Sequence, residues 1–339
     1  MKKKKLVALL LGSLTVCALA GMVTGCRDKD DGDSQAETPN VDNDINYKPG
    51  DVIVDEKDVE FTETDRETGY QVKYTDKQID VKYLAGNASY ITLSGKDRTQ
   101  MKVTGYSGDL TALSLTEIEK KVKVNNAPVS VSEIADEAFA NCATLETVDL
   151  SKQNSALSFE IGDGAFYNCT KLSSVTFPDK VYVEYNKVGQ SAFYNNISLK
   201  EVALGEKFTV FGSGAFENCV TLTSVTLPTK LTSISARLFS GCESLQDVAL
   251  PAGVKSIENS AFKSTAIRSV PFETVEELRY IGASAFENTK ITTLNVPDSV
   301  TYIGNRAFFD CANLTSVTVP FIGSDVAHDA SFADRYGMP

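Results

Sequence analysis

The groups able to do chemistry in this chain are few, and their spacing is more telling than their number. Cys142, Cys169, Cys219, Cys242 and Cys311 each stand three residues after a phenylalanine. That is a period and not a cluster. A zinc site needs close pairs such as Cys-x-x-Cys, and none occurs, so the spacing offers no metal centre. Stacked neighbours such as Cys142 with Cys169, or Cys219 with Cys242, would lie about 5 Å apart, within disulfide range. Their side chains would nevertheless point the same way, and the expectation is buried thiols packing as small hydrophobes. His328 is the sole histidine, which argues against imidazole catalysis and multi-histidine metal sites. Gly105-Tyr-Ser107-Gly108 lacks the closing spacing of a Gly-x-Ser-x-Gly nucleophile elbow and reads as a turn. Asp28, Asp30, Asp31, Gly32 and Asp33, then Asp42, Asp44 and Asn46, suggest calcium. Counted as calcium loops they fail: Gly32 is fifth rather than sixth, and Pro39 and Ile53 stand where a glutamate is needed. No carboxylate pair sits in an apolar context that would mark an acid/base dyad. These residues imply no cofactor and no enzyme.

What the cysteines follow is a repeat. Phe139, Phe166, Phe193, Phe216, Phe239, Phe262, Phe286 and Phe308 recur at spacings of 27, 27, 23, 23, 23, 24 and 22 residues. Around each the register holds, as in Leu222-Thr-Ser-Val225-Thr-Leu227-Pro228, then Leu231, Ile234, Leu238-Phe239 and Cys242. Written generally this is LxxVxLPxxVxxIGxxAFxxC. It resembles the BspA-type leucine-rich repeats of bacterial surface proteins over about residues 103 to 320. The resemblance implies an α/β repeat fold, a leucine-rich-repeat solenoid with a parallel β-sheet, and a role in adhesion or protein interaction.

The physics of the pattern leads to the same architecture. In LxxVxL the valine and the next leucine are two apart and share one face of a strand, while the residue between them faces out. One strand per repeat is expected: Leu145 to Leu150, Leu172 to Phe177, Leu199 to Leu204, Leu222 to Leu227, Leu245 to Leu250, Ile267 to Phe272, Ile291 to Val296 and Leu314 to Val319. Eight such strands at about 4.8 Å would give a sheet roughly 34 Å wide. Prolines after the strands remove a ladder donor and end them. The Ala-Phe segment reads as one helical turn, closed by Asn141, Asn168, Asn195, Asn218 or Asn288 in the left-handed conformation.

The outward positions flanking each valine form the candidate binding face. They include Thr147 and Asp149, Ser174 and Thr176, Glu201 and Ala203, and Ser224 and Thr226: small, hydroxyl-rich and without aromatics. Sugar platforms and interface hot spots usually use aromatics, which this strip lacks. Two repeats are longer by four residues, and the second carries Tyr182, Glu184 and Tyr185, suited to a protein contact on a decorated solenoid edge. Ser174, Thr176, Ser224, Thr226, Tyr182, Glu184 and Tyr185 are the candidate ligand-binding residues.

Ahead of the repeats stand Lys2 to Lys5 and an apolar run of about fifteen residues, Leu6 to Ala20, which reads as a signal peptide. It closes on Val23-Thr24-Gly25-Cys26, which is similar to the bacterial lipobox, and the similarity implies lipidation of Cys26 after removal of residues 1–25. Residues 26–50 are acidic and nearly without apolar side chains, a flexible tether spanning roughly 25 to 30 Å. Residues 51–102 hold period-two stretches such as Ile79-Asp-Val81-Lys-Tyr83 and read as a small β-rich cap; 103–320 are the repeats and 321–339 a second cap. Loss of the leader makes the chain four units more negative than its formal −12. That charge argues against nucleic acid and anionic headgroups as partners, leaving the membrane to be met through the lipid alone.

The function expected is noncatalytic binding of a protein or other macromolecule by an exported, lipid-anchored bacterial surface protein. Binding of glycan or cell-wall polymer is the alternative, followed by an enzyme within residues 51–125 for which no motif speaks.

Overall fold

The computed structural model describes residues 49–64, 71–85, 89–96, 98–151, 158–178 and 186–320. The signal segment, most of the tether and the C-terminal cap expected above lie outside the described residues.

Four strands open the described chain: β1 (Val52–Thr64), β2 (Gln71–Leu84), β3 (Tyr90–Gly95) and β4 (Met101–Ser107). They pair antiparallel in sequence order. The alternation of Ile79, Val81 and Tyr83 with polar residues places those three in the core. Gly105 and Ser107 lie in β4, so the turn expected at 105–108 is confined to Gly108, which has φ 77°. Helix α1 (Leu115–Lys121) follows, with Ser114 capping its first turn by accepting from the Glu117 amide at 3.3 Å. Helix is scarce after it, and the rest is a β-solenoid.

Each repeat lays down three successive segments, and most segments bond to their counterparts in the next repeat. The first is the expected valine strand, but only three residues of it are strand. Ala112–Ser114, Thr147–Asp149 and Ser174–Thr176 form one parallel ladder, Glu201–Ala203 pairs with Ser224–Thr226, and Thr293–Asn295 pairs with Ser316–Thr318. The single sheet of eight strands is therefore corrected to three shorter ladders. Asp247 contributes only a bridge to Ser224. Ile267 to Phe272 is not a strand: Pro271 has no amide to donate, and the chain turns into a 3-10 segment at Phe272–Thr274.

One strand per repeat is also too few. A second short strand forms where the motif reads Ile-Gly. Val131–Ile134, Glu160–Ile161, Asn186–Val188 and Phe208–Phe211 stack in parallel and join β4, so β1 to β4 continue this column as one eight-stranded sheet. Ser233–Ile234, Ser256–Ile257, Tyr280–Ile281 and Tyr302–Ile303 form a further four-stranded sheet.

The third segment holds the phenylalanine, and it is a run of turns rather than the expected helical turn. Residues two before and two after the phenylalanine both have positive φ, as in Glu137 (54°) and Asn141 (60°) or Arg237 (54°) and Gly241 (74°). Two left-handed residues four apart cannot belong to one right-handed helix. Alternate amides instead donate to the next repeat: Glu137 to the Asp163 carbonyl, Phe139 to Ala165, Asn141 to Tyr167. The asparagine side chains ladder alongside, Asn168 donating to Asn141 at 2.9 Å and Asn195 to Asn168 at 2.6 Å. The eight phenylalanines are fully buried and stacked, with centroids 5.1 to 5.9 Å apart, and Tyr106 extends the stack at 5.5 Å from Phe139.

Candidate functional site

The buried valines Val148, Val175, Val202 and Val225 hold their neighbours outward, because successive strand residues point to opposite faces. Thr147, Ser174, Thr176, Glu201, Ala203, Ser224 and Thr226 are all exposed. Register sets Ser174 beside Thr147 and Thr176 beside Asp149 in one ladder, and Ser224 beside Glu201 and Thr226 beside Ala203 in the other. Ser173 and Thr223, one residue earlier, spend their hydroxyls on the carbonyls of Glu146 and Lys200 in the preceding repeat. Among the described residues, the hydroxyls of Ser174, Thr176, Ser224 and Thr226 make no such bond, so their hydrogen-bonding capacity faces solvent. The structure thus brings the four hydroxyl candidates onto one kind of surface but in two separate ladders. Tyr182, Glu184, Tyr185 and Cys26 lie outside the described residues. The base of the insertion is described: Asn186, fully buried, accepts from the Phe159 amide at 2.7 Å and donates to the Lys207 carbonyl at 3.2 Å.

Asp149 does different work from the other flanking residues. Its carboxylate takes the hydroxyl of Ser151 at 2.5 Å and that of Ser114 at 3.2 Å, which ties the strand edge to the helix cap.

The five repeat cysteines are free and buried. Four thiols donate to the carbonyl of the phenylalanine one repeat earlier: Cys169 to Phe139 at 3.1 Å, Cys219 to Phe193 at 3.2 Å, Cys242 to Phe216 at 3.1 Å and Cys311 to Phe286 at 3.2 Å. Burial pushes the Cys219 thiol up to about 12, and Cys169 and Cys242 are raised in the same direction by the same cause. Such thiols stay protonated and inert, and a protonated thiol is what these hydrogen bonds require. After Phe193 the place is taken by Asn196, which is fully buried with Nδ2 and Oδ1 both unpartnered among the described residues. Asn196→Cys should donate to Phe166 as its neighbours do and raise the unfolding free energy by about 1 to 3 kcal/mol, the cost of a buried unmade polar bond. An unchanged urea midpoint would refute this.

Sequence reasoning missed the aromatics that do reach the surface. The valine-strand face is aromatic-free, but Tyr167 and Tyr194 stack at 4.8 Å on the turn column and Tyr280 and Tyr302 at 4.9 Å on the second strand column. Tyr167 is 37% and Tyr302 36% exposed. The signal was present: Tyr167 and Tyr194 each follow the repeat phenylalanine, and Tyr280 and Tyr302 each precede the repeat isoleucine. Tyr194 is fixed by the Asn218 amide, which donates to its hydroxyl at 2.9 Å. Further along the same column Glu287 meets Lys263 at 3.2 Å and Arg306 at 2.9 Å, while Arg306 lies 3.9 Å over Phe309. Burial raises the Glu287 carboxyl, but the Ser284 and Lys263 hydrogen bonds and the two cations more than offset it, holding it below the usual range.

Three segments per repeat, a continuous aromatic stack and a buried thiol column define a short-strand repeat solenoid. Matches to the BspA type leucine rich repeat region, in six copies across residues 118–218, 159–280 and 279–332, place the chain in that family. It is similar to the solved leucine-rich-repeat protein of T. pallidum at 26% identity, covering 65% of this chain and 85% of that one, with a TM-score of 0.45. A leucine-rich-repeat protein from Bacteroides ovatus is 25% identical over 67% and 69% of the two chains, TM-score 0.47. A leucine rich cell surface protein from Faecalibacterium prausnitzii is 24% identical over 70% and 76%, TM-score 0.47. No curated protein matches. No helix among the described residues is long and apolar enough to cross a membrane.

Proposed function

We propose that this protein is a noncatalytic binding protein of the bacterial cell surface, held to the membrane by a lipid on Cys26 and engaging a protein partner through its solenoid. The observation that carries this reading is the exposed valine-strand face, whose Ser174, Thr176, Ser224 and Thr226 hydroxyls are unspent on a backbone already fixed by its neighbours. A surface ordered before binding loses little entropy on meeting a large partner. The family supports a protein-interaction role. The leader (1–25), the acidic tether (26–50), the β-rich cap (51–102), the repeats (103–320) and the terminal cap (321–339) then form an anchor, a spacer and a presenting surface. Tyr182, Glu184 and Tyr185 of the insertion are further candidate contacts.

Ser224→Lys with Thr226→Lys, or Tyr182→Ser with Tyr185→Ser, should weaken binding to partners selected on a protein array while the melting temperature stays within a few degrees. A partner whose affinity survives both double variants would overturn the site. Cys26→Ser should lose fatty-acid labelling and leave the membrane fraction, since acyl chains contribute about 0.8 kcal/mol per buried methylene; unchanged labelling would overturn the anchor. The two tyrosine stacks favour a second reading, binding of glycan or cell-wall polymer, because partly exposed aromatics suit sugar faces. In that case insoluble polysaccharide would retain the protein, and Tyr167→Ser with Tyr302→Ser would release it.

A further inference from the structure

The eight-stranded sheet ends on β1, and among the described residues nothing pairs with the outer edge of β1 along all of Val52–Thr64. Thirteen residues make it long for any strand and very long for an edge. An antiparallel ladder turns the amide and carbonyl of every second residue away from the partner strand, so β1 presents a row of such groups outward. The inner side is incomplete too. β3 pairs with β2 only over Ile79–Leu84, so among the described residues no second strand pairs with Gln71–Gln78, and there the hairpin runs on as a two-stranded ribbon. Two strands alone are marginally stable in water, and a third stabilises them.

Soluble proteins protect such edges with charge, and the sign of that charge selects what can still approach. Asp55, Glu56, Lys57 and Asp58 are all exposed. Lys57 is already engaged, with its ammonium 2.5 Å from Asp80, and register sets Asp55 across from that same Asp80. Glu56 takes a 3.5 Å hydrogen bond from Asn125. Asp55 and Asp58 have no ion-pair partner among the described residues. The edge is therefore acidic as presented. A second copy of β1 would bring acid against acid, and so would the chain's own segment at Asp28 to Asp44. An extended basic strand meets neither penalty.

We propose that the free edge of β1 accepts an extended lysine- or arginine-bearing peptide of another protein as an added strand. Main-chain hydrogen bonds along β1 supply the affinity, while Asp55 and Asp58 choose the charge of the guest. This site is separate from the valine-strand face, so Ser224→Lys with Thr226→Lys should leave it intact.

The test uses the full chain with two twelve-residue peptides, one alternating threonine with lysine and one threonine with glutamate. The lysine peptide should bind and slow amide exchange at alternate residues of Val52–Asp58, and the glutamate peptide should do neither. Asp55→Asn with Asp58→Asn should weaken the lysine peptide on the order of tenfold, the factor that about 1.4 kcal/mol represents. Asp55→Lys with Asp58→Lys should weaken it further. Binding of the lysine peptide that leaves β1 exchange unchanged would overturn the proposal, showing attraction by surface charge alone. Equal binding of both peptides would overturn it as well, and so would slowed β1 exchange that rises with protein concentration in the absence of peptide, because the occupant would then be a second copy.

Discussion

Replacing Phe216 by alanine should lower the unfolding free energy by about 3 to 5 kcal/mol, the largest loss expected from any single side chain in the middle of the stack. Its ring is fully buried, 5.1 Å from Phe193 on one side and 5.9 Å from Phe239 on the other, with interplanar angles of 3° and 18°. Its amide and carbonyl bonds, to the Leu238 carbonyl and from the Cys242 thiol, survive the change. What is lost is the transfer energy of the ring and the packing of two neighbours against the hole it leaves. The position matters beyond the magnitude. A repeat touches only its neighbours, so weakening the central interface uncouples the two ends, and urea melts followed by probes in different repeats should separate. Thr226→Ser, on the exposed face, should stay within about 0.5 kcal/mol. Equal urea midpoints for the two variants would mean that the stack is not what holds the repeats together.

The phenylalanine stack and the valine strands could be read from the chain because one residue type at one period marks each of them. Outward Ser174, Thr176, Ser224 and Thr226 followed from the same alternation. The second strand column could not be read so easily. Ser233–Ile234 and Tyr280–Ile281 are two residues long, and period two has no meaning in so short a stretch; these strands exist because stacking brings equivalent segments into ladder register. The turn column was half legible. Asn141, Asn168 and Asn195 after the phenylalanine signal a left-handed residue, but Glu137, Arg237 and Arg306 before it hide the same requirement under charged side chains. The missing second position is why a helical turn was expected there. The stacked tyrosines were obscured for a related reason: they belong to the second and third segments, whose outward faces become apparent only once those segments are seen to form columns of their own.

Gly212→Ala should cost about 3 kcal/mol, the upper end of what one overpacked methyl usually does, although it adds a single carbon. A Cβ at Gly212 would stand 2.2 Å from the amide nitrogen of Gln190 and 2.5 Å from the carbonyl carbon of Gly189. Neither is the tip of a flexible side chain; both are backbone of the preceding repeat, so the repeats must separate. Gly162, Gly189, Gly282 and Gly304 show the same approach, with backbone atoms 2.3 to 2.5 Å from the added carbon. Glycine at this place lets its amide reach the previous repeat's carbonyl, as Gly212 does with Val188 at 2.7 Å. Three repeats show what a side chain does there. Ala135, which opens the column and stacks on β4 rather than on a preceding repeat, keeps the bond, to Val103, at 2.8 Å, and Glu258 keeps it, to Ile234, lengthened to 2.9 Å. At Ser235 the hydroxyl, rather than the amide, donates to the Phe211 carbonyl, and this is where the eight-stranded sheet stops and the four-stranded one begins. Gly253 is the control. A Cβ there would meet nothing within 4 Å, so Gly253→Ala should be stabilising by about 0.4 to 1 kcal/mol, through the freedom it removes from the unfolded chain. The same chemical change is thus expected to have opposite signs forty-one residues apart. Paired urea melts decide it: if both alanines shift the midpoint the same way, close repeat-to-repeat approach is not what the glycine column provides.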